Sequence, residues 1–160
     1  MLHPLAIITS MFFIVSACNK QDQPAVGLSN AKIETTVLTE NLNGPWEILW
    51  GNDAHIWFTE KGGNISRVDT ATGKATLVFT IPDVVSRGEG GLLGMALHPD
   101  FSTTPQLFVV YDYNNGSDYK EKVVRYNYAN GTLSSPLVIL DNINAAGNHN
   151  CNWRWEARAD

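Results

Sequence analysis

Cysteine is scarce in this chain, since only Cys18 and Cys151 occur among its 160 residues. No group of cysteine and histidine residues has the spacing of a zinc site. The 4 histidines are too scattered along the chain to indicate a site by their spacing alone. The sequence therefore predicts no metal site.

Positive charge is also in short supply. The chain has 11 Lys and Arg residues against 16 Asp and Glu residues, and its formal net charge is −5. A nucleic-acid partner needs basic patches for its phosphates, so this balance argues against one, whereas a neutral substrate such as a sugar stays open. Hydrophobic residues make up 44% of the chain, enough for the core of one ordinary domain.

No hydrophobic run is long enough to span a bilayer. The run Leu5–Val15 suits the apolar part of a signal peptide, and Val15–Cys18 resembles a bacterial lipobox. We expect a lipoprotein signal peptide over 1–17, lipidation of Cys18 and a polar tether over 18–32. The asparagine after the cysteine favours an exported chain anchored in the outer membrane or facing the periplasm. A membrane helix is the competing interpretation.

The middle of the chain is rich in short β-type segments separated by turn signals. No stretch has convincing helical periodicity. The pattern predicts two antiparallel four-stranded meanders at a period of about 45 residues, which suggests propeller blades. A β-sandwich is the competing all-β fold. The predicted strands are Trp46–Gly51, His55–Lys61, Asn64–Asp69 and Ala75–Ile81, then Leu92–His98, Gln106–Tyr113, Lys122–Tyr128 and Leu137–Leu140.

The most unusual stretch is Arg87–Phe101, in which three glycines surround Glu89. It is neither a P-loop nor a Rossmann fingerprint, because no Gly-Lys-Ser/Thr follows and the next element is a strand. The glycines allow positive φ or close approach of the backbone. Glu89 falls in a connection between blades, where propeller ligand sites lie, although a solvated loop acid is an equal alternative. We interpret His98 as part of a turn rather than a catalytic group.

Several segments, in order along the chain, resemble the glucose/sorbosone dehydrogenase family. This family contains the soluble pyrroloquinoline-quinone (PQQ) sugar dehydrogenases and aldose dehydrogenases. The resemblance covers roughly 38–150 and implies the first two or so blades of a six-bladed β-propeller, over 33–150. Its motifs are Leu42–Trp46, Thr59–Ile65, Gly88–Gly94, His98–Phe101, Tyr111 and Val123–Tyr126.

The resemblance also implies a chemistry. Relatives oxidise an aldose to a lactone, with PQQ as hydride acceptor and an external electron acceptor that reoxidises it. His149 falls where the family has its general base, and Glu89 falls at a position next to the cofactor, where relatives often carry Gln or Glu. A carboxylate there would repel anionic PQQ unless it is protonated or offset by a cation. Calcium is expected in the family, and its ligands fall outside the segments that match.

The end of the chain departs from the family pattern. Residues 151–160 lack alternation and turn residues, which suggests a frameshift or a premature stop after Asn150; a true short variant is the alternative. We therefore expect an inactive fragment whose open blade faces carry apolar side chains. A non-catalytic propeller lipoprotein that binds carbohydrate or protein at the cell surface is the alternative function.

Three tryptophans alternate within the first two predicted strands: Trp46, Trp50 and Trp57. Tryptophan can stack on sugar rings. The alternation instead favours burial between blades, because side chains two residues apart point to the same face of a strand. We expect all three to lie in the core.

Overall fold

The structure, a computed structural model, describes Lys32 and residues 34–145. The chain divides into two units, Met1–Thr35 and Thr36–Asp160. In the first unit, Lys32 and Glu34 form an exposed ion pair of 2.7 Å. The signal peptide, the lipidated cysteine, nearly all of the tether, His149 and the tail lie outside the described residues, so those predictions stay predictions. No helix within the described ranges has the length and apolar character that would let it cross a bilayer.

The second unit folds into two four-stranded sheets, with order β1-β2-β3-β4 and β5-β6-β7-β8. Consecutive strands pair antiparallel in both sheets. This confirms the predicted pair of meanders. The strands are β1 (Pro45–Trp50), β2 (His55–Glu60), β3 (Asn64–Asp69), β4 (Ala75–Thr80), β5 (Leu92–Leu97), β6 (Gln106–Asn114), β7 (Tyr119–Ala129) and β8 (Thr132–Asn144).

The last two strands are longer than the sequence predicted. The outer strand β8 has 13 residues and continues through Pro136. Proline is tolerated because β8 is an edge strand, where a missing N–H costs no ladder bond. The chain bulges at this point: Ser135 has a φ of 52°, and the register shifts between Arg125 and Asn127 on β7.

The two sheets pack face to face like neighbouring blades. At one side of the interface β1 and β2 contact β5, and at the other side β4 contacts β8. Alternate side chains of each strand enter the space between the sheets. The shared core contains Trp57, Ile65, Leu92, Leu107 and Val109, each at most 2% exposed.

Trp57 lies within this interface and is fully buried. Its ring meets Phe101 at a centroid distance of 5.6 Å and Tyr128 at 5.1 Å, both edge to face. Its Nε1 donates a hydrogen bond of 3.2 Å to Oδ1 of Asp53, in the turn between β1 and β2. Trp57 therefore packs against residues of the second sheet unit and also holds the turn between β1 and β2.

The prediction of burial was correct for Trp57 and wrong for Trp46 and Trp50, which are 42% and 64% exposed. Ile48, between them on the same strand, is 62% exposed. β1 is the edge strand of the first sheet, and these side chains do not reach the space between the two sheets. Alternation predicts which residues share a face, but it does not show whether another layer covers that face.

The exposed apolar surface has two parts. On the first sheet, a short segment including Leu38 and Leu42 lies against Phe58 and Val68, which are buried, while Leu77 stays 56% exposed. On the second sheet, Leu137–Leu140 of β8 are 43–49% exposed. Both sheets therefore expose apolar side chains, as the sequence led us to expect.

Replacing Trp57 by alanine should lower the free energy of unfolding by about 3–5 kcal/mol, because it opens a cavity in the interface. Trp50→Ala is the matched control and should cost less than about 1 kcal/mol, since the indole is already largely in water. Urea denaturation followed by circular dichroism measures both. Equal losses would contradict the central role of Trp57.

Candidate functional site

The glycine-rich connection between β4 and β5 forms a tight turn that presents Glu89 to solvent. The N–H of Gly90 donates to the carbonyl of Arg87 at 2.8 Å, which closes a four-residue turn around Gly88 and Glu89. Gly88, at the first central position, has a φ of 56°. A positive φ at that position strongly favours glycine, so the sequence Gly88-Glu89 by itself favours this type of turn. Glu89 itself is exposed.

Gly91 fixes the end of this connection against the first sheet. Its φ is +149°, and a Cβ atom built there would lie 2.4 Å from the carbonyl oxygen of Lys61. The approach is this close because the next N–H, that of Leu92, donates to the same carbonyl at 3.0 Å. On the other side, the Gly91 carbonyl accepts the N–H of Asp112 on β6 at 2.9 Å. The connection is thus tied to both sheets through main-chain atoms.

Lys61, the residue after β2, joins three loops at this end of the sheets. Its N–H donates to the carbonyl of Gly44 at 2.9 Å, before β1. Its carbonyl accepts a hydrogen bond from the N–H of Leu92, and its ammonium group donates to the carbonyl of Gly88. The ammonium group of Lys61 is therefore held at the carbonyl of Gly88, the residue before Glu89.

A second cation, Arg87, begins the same turn. The guanidinium of Arg87 stacks over the ring of Tyr119 at 4.0 Å from its centroid. These two residues line an open cleft of about 490 Å³ together with Lys120 and Asn144. Lys120 donates to the side-chain oxygen of Asn144 at 2.8 Å, which closes the end of β8 against β7. The turn that carries Glu89 thus has two cations, Lys61 bonded to Gly88 and Arg87 at its first position.

The predicted site residues are only partly brought together by the described chain. Glu89 lies at the end of the sheets where β8 finishes at Asn144, and His149 follows that strand in the sequence outside the described residues. Sequence reasoning gave no role to Lys61, Arg87 or Tyr119. A basic residue directly before a Gly-Gly turn and an arginine beside a Gly-Glu turn are the signals that could have indicated them.

His98 lies at the opposite end of the sheets, in the turn between β5 and β6. Its Nδ1 accepts the N–H of Asp100 at 3.1 Å. Its own N–H donates to the carbonyl of Gln106 at 2.9 Å. Both bonds shape the turn, which agrees with the structural interpretation of this histidine.

In the described part of the chain, no three His, Cys, Asp or Glu side chains are grouped so that they could hold a metal ion.

The fold and the glycine-rich connection define part of a β-propeller of the sugar dehydrogenase type. The model of the Glucose / Sorbosone dehydrogenase family matches residues 42–154, which is most of the chain. The chain belongs to this family.

Individual relatives agree with this assignment. The chain is similar to quinoprotein glucose dehydrogenase B of Acinetobacter calcoaceticus, with 34% identity over 71% of this chain and 26% of that protein. It is similar to an aldose sugar dehydrogenase of Escherichia coli strain K12, with 30% identity over 54% of this chain and 24% of that protein. The chain thus spans about a quarter of the length of these relatives.

A solved structure shows the same fold. The PQQ-bound form of the aldose sugar dehydrogenase from Streptomyces coelicolor matches with a TM-score of 0.65 and 26% identity. The match covers 72% of this chain and 35% of that one.

Gly91→Ala should displace the glycine-rich connection, because the new methyl group would collide with the Lys61 carbonyl at a strained φ. We expect a loss of about 1–3 kcal/mol in unfolding free energy and faster amide exchange at Leu92. Gly62→Ala is the control, since a Cβ there meets nothing within 4 Å. Equal exchange rates at Leu92 in the two variants would contradict this account of the connection.

Proposed function

We propose that the chain supplies one edge of the active site of a PQQ-dependent sugar dehydrogenase, which oxidises an aldose to its lactone. The observation that carries the proposal is the fixed turn at Gly88–Glu89, with Lys61 bonded to the Gly88 carbonyl and Arg87 held over the Tyr119 ring. Family membership and the PQQ-bound solved relative support the choice of cofactor. The reduced cofactor would pass its electrons to an external acceptor.

The charges around Glu89 fit an anionic cofactor. A lone carboxylate would repel the carboxylates of PQQ, but the same connection holds Lys61 at the Gly88 carbonyl and Arg87 over Tyr119, and these two cations would favour an anionic ligand. The ammonium of Lys61 uses one of its three N–H groups on Gly88 and retains two donors. Lys61 and Arg87 are therefore the described residues that would hold the edge of PQQ nearest to Glu89.

The proposal assigns separate roles to PQQ, His149 and Glu89. PQQ, when bound, supplies a quinone that accepts hydride from C1 of the sugar. His149 would act as a general base that takes the proton from the C1 hydroxyl, because a neutral imidazole has a suitable pKa near pH 7. Glu89 and the two cations of its turn would orient the cofactor beside that base.

Export and lipid anchoring complete the proposal. Lipidation of Cys18 would attach the chain to the outer membrane or to a membrane facing the periplasm, where sugars and electron acceptors are available. Mass spectrometry of the mature protein would test this, since a diacylglyceryl adduct on Cys18 is expected.

Binding of PQQ to the purified full chain tests the site. Titration followed by quenching of protein fluorescence should saturate, and Glu89→Gln should tighten binding several-fold, since it removes a negative charge near an anionic ligand. Asp100→Asn is the matched control, because this exposed acid lies at the opposite end of the sheets. Binding that does not saturate, or that responds equally to both variants, would contradict the proposal.

Dye-linked oxidation of aldoses tests the base. We expect no turnover from the chain alone with PQQ and calcium. In a longer version that restores the rest of the propeller, turnover is expected and should disappear in His149→Ala, at unchanged PQQ affinity. Sugar binding without turnover, in a protein that binds no PQQ, would favour the non-catalytic alternative.

A further inference from the structure

A second cleft lies between the two sheets, with a volume of about 420 Å³. Its walls come from β4, from the first residues of the connection to β5, and from β6, β7 and β8. The volume falls in the range of small-molecule sites.

An ion pair forms the polar side of this cleft. Lys122 donates to Oδ2 of Asp83 at 2.7 Å, and the hydroxyl of Tyr111 donates to Oδ1 of the same carboxylate at 3.1 Å. The ammonium of Lys122 also lies over the rings of Tyr111 and Tyr113, at 5.2 and 4.1 Å from their centroids. The Lys122 side chain is only 14% exposed, whereas that of Asp83 is 49% exposed. The carboxylate therefore has oxygen lone pairs that face the solvent.

Aromatic rings and prolines form the apolar side. Phe79 and Tyr126 lie at a centroid distance of 5.6 Å with their planes at 52°. Pro82 and Pro136 complete this side of the cleft. Burial raises the pKa of the hydroxyls of Tyr111 and Tyr126, so both phenols remain protonated at neutral pH.

The charged groups that line the cleft determine which class of ligand fits it. The paired charges of Asp83 and Lys122 cancel, and Lys122 already occupies the position between the tyrosine rings that a cationic ligand would take. A wholly apolar ligand would remove water from the exposed carboxylate without replacing its hydrogen bonds. A neutral ligand with hydroxyl groups on its rim and C–H groups on its faces satisfies both sides.

We propose that this cleft binds a single neutral, polyhydroxylated ring, either a saccharide unit or a cyclic polyol, with Asp83 accepting hydrogen bonds from its hydroxyls and its C–H groups lying against Phe79 and Pro136. The site is separate from the turn that carries Glu89 and goes beyond the proposed dehydrogenase. Asp83 lies at the start of the connection that ends at that turn, so both sites share one segment of chain.

Nuclear magnetic resonance of the full chain tests this inference. The probes are methyl β-glucopyranoside, whose blocked C1 hydroxyl cannot be oxidised to a lactone, and myo-inositol. No PQQ is added, so the result does not depend on the proposed dehydrogenase activity. We expect saturable shifts of the Val124 and Val138 methyl signals, which line the cleft. A response to the glucoside assigns a saccharide, and a response to inositol alone assigns a free polyol.

Two variants decide whether the cleft is responsible. Asp83→Asn should weaken binding about tenfold, because it replaces charge-assisted hydrogen bonds with neutral ones. Asp118→Asn, a change of an exposed acid in the turn between β6 and β7, should leave the affinity unchanged. Phe79→Leu keeps an apolar side chain but removes the aromatic face, so it should weaken binding while the spectrum stays folded.

Three results would overturn the inference. The first is no saturable shift with either probe. The second is saturable shifts confined to residues around Glu89. The third is equal affinity in Asp83→Asn, Phe79→Leu and the unsubstituted chain.

Discussion

Trp57 meets Phe101 and Tyr128 edge to face, and these contacts set the spacing between the two sheets. The indole is fully buried, and its N–H holds the turn at Asp53. Sheets pack about 10 Å apart when side chains from both faces interdigitate. The aromatic contacts supply part of that layer, and the aliphatic side chains of the shared core fill the rest.

The spacing has a direct effect at the end of the sheets that carries Glu89. The connection from β4 to β5 can bond to Lys61 on the first sheet and Asp112 on the second only if the sheets lie at one particular separation. The polar cleft at Asp83 uses the same separation, since its carboxylate bridges from the connection to Lys122 on β7. One apolar interface therefore positions two chemically different sites.

Most of the fold could be predicted from the sequence, because turn signals and alternation are local properties of a meander. The misses have non-local causes. β8 continues through Pro136 because it is an edge strand, and Trp50 is exposed because the segment with Leu38 and Leu42 covers only part of its face. Glu89 could be placed in its turn by the glycines, with Arg87 two residues before it, but only tertiary structure brings Lys61 to the turn.

The ties of the glycine-rich connection have a consequence for how such a scaffold diversifies. The connection is held mainly by backbone atoms of Arg87, Gly90, Gly91 and Leu92, so the side chain at position 89 contributes nothing to the main-chain bonds that close the turn. A change of residue there alters the charge or size presented to a ligand without rebuilding the loop. The fold thus separates the main-chain bonds that maintain the shape of this loop from the side chain that the loop presents to solvent.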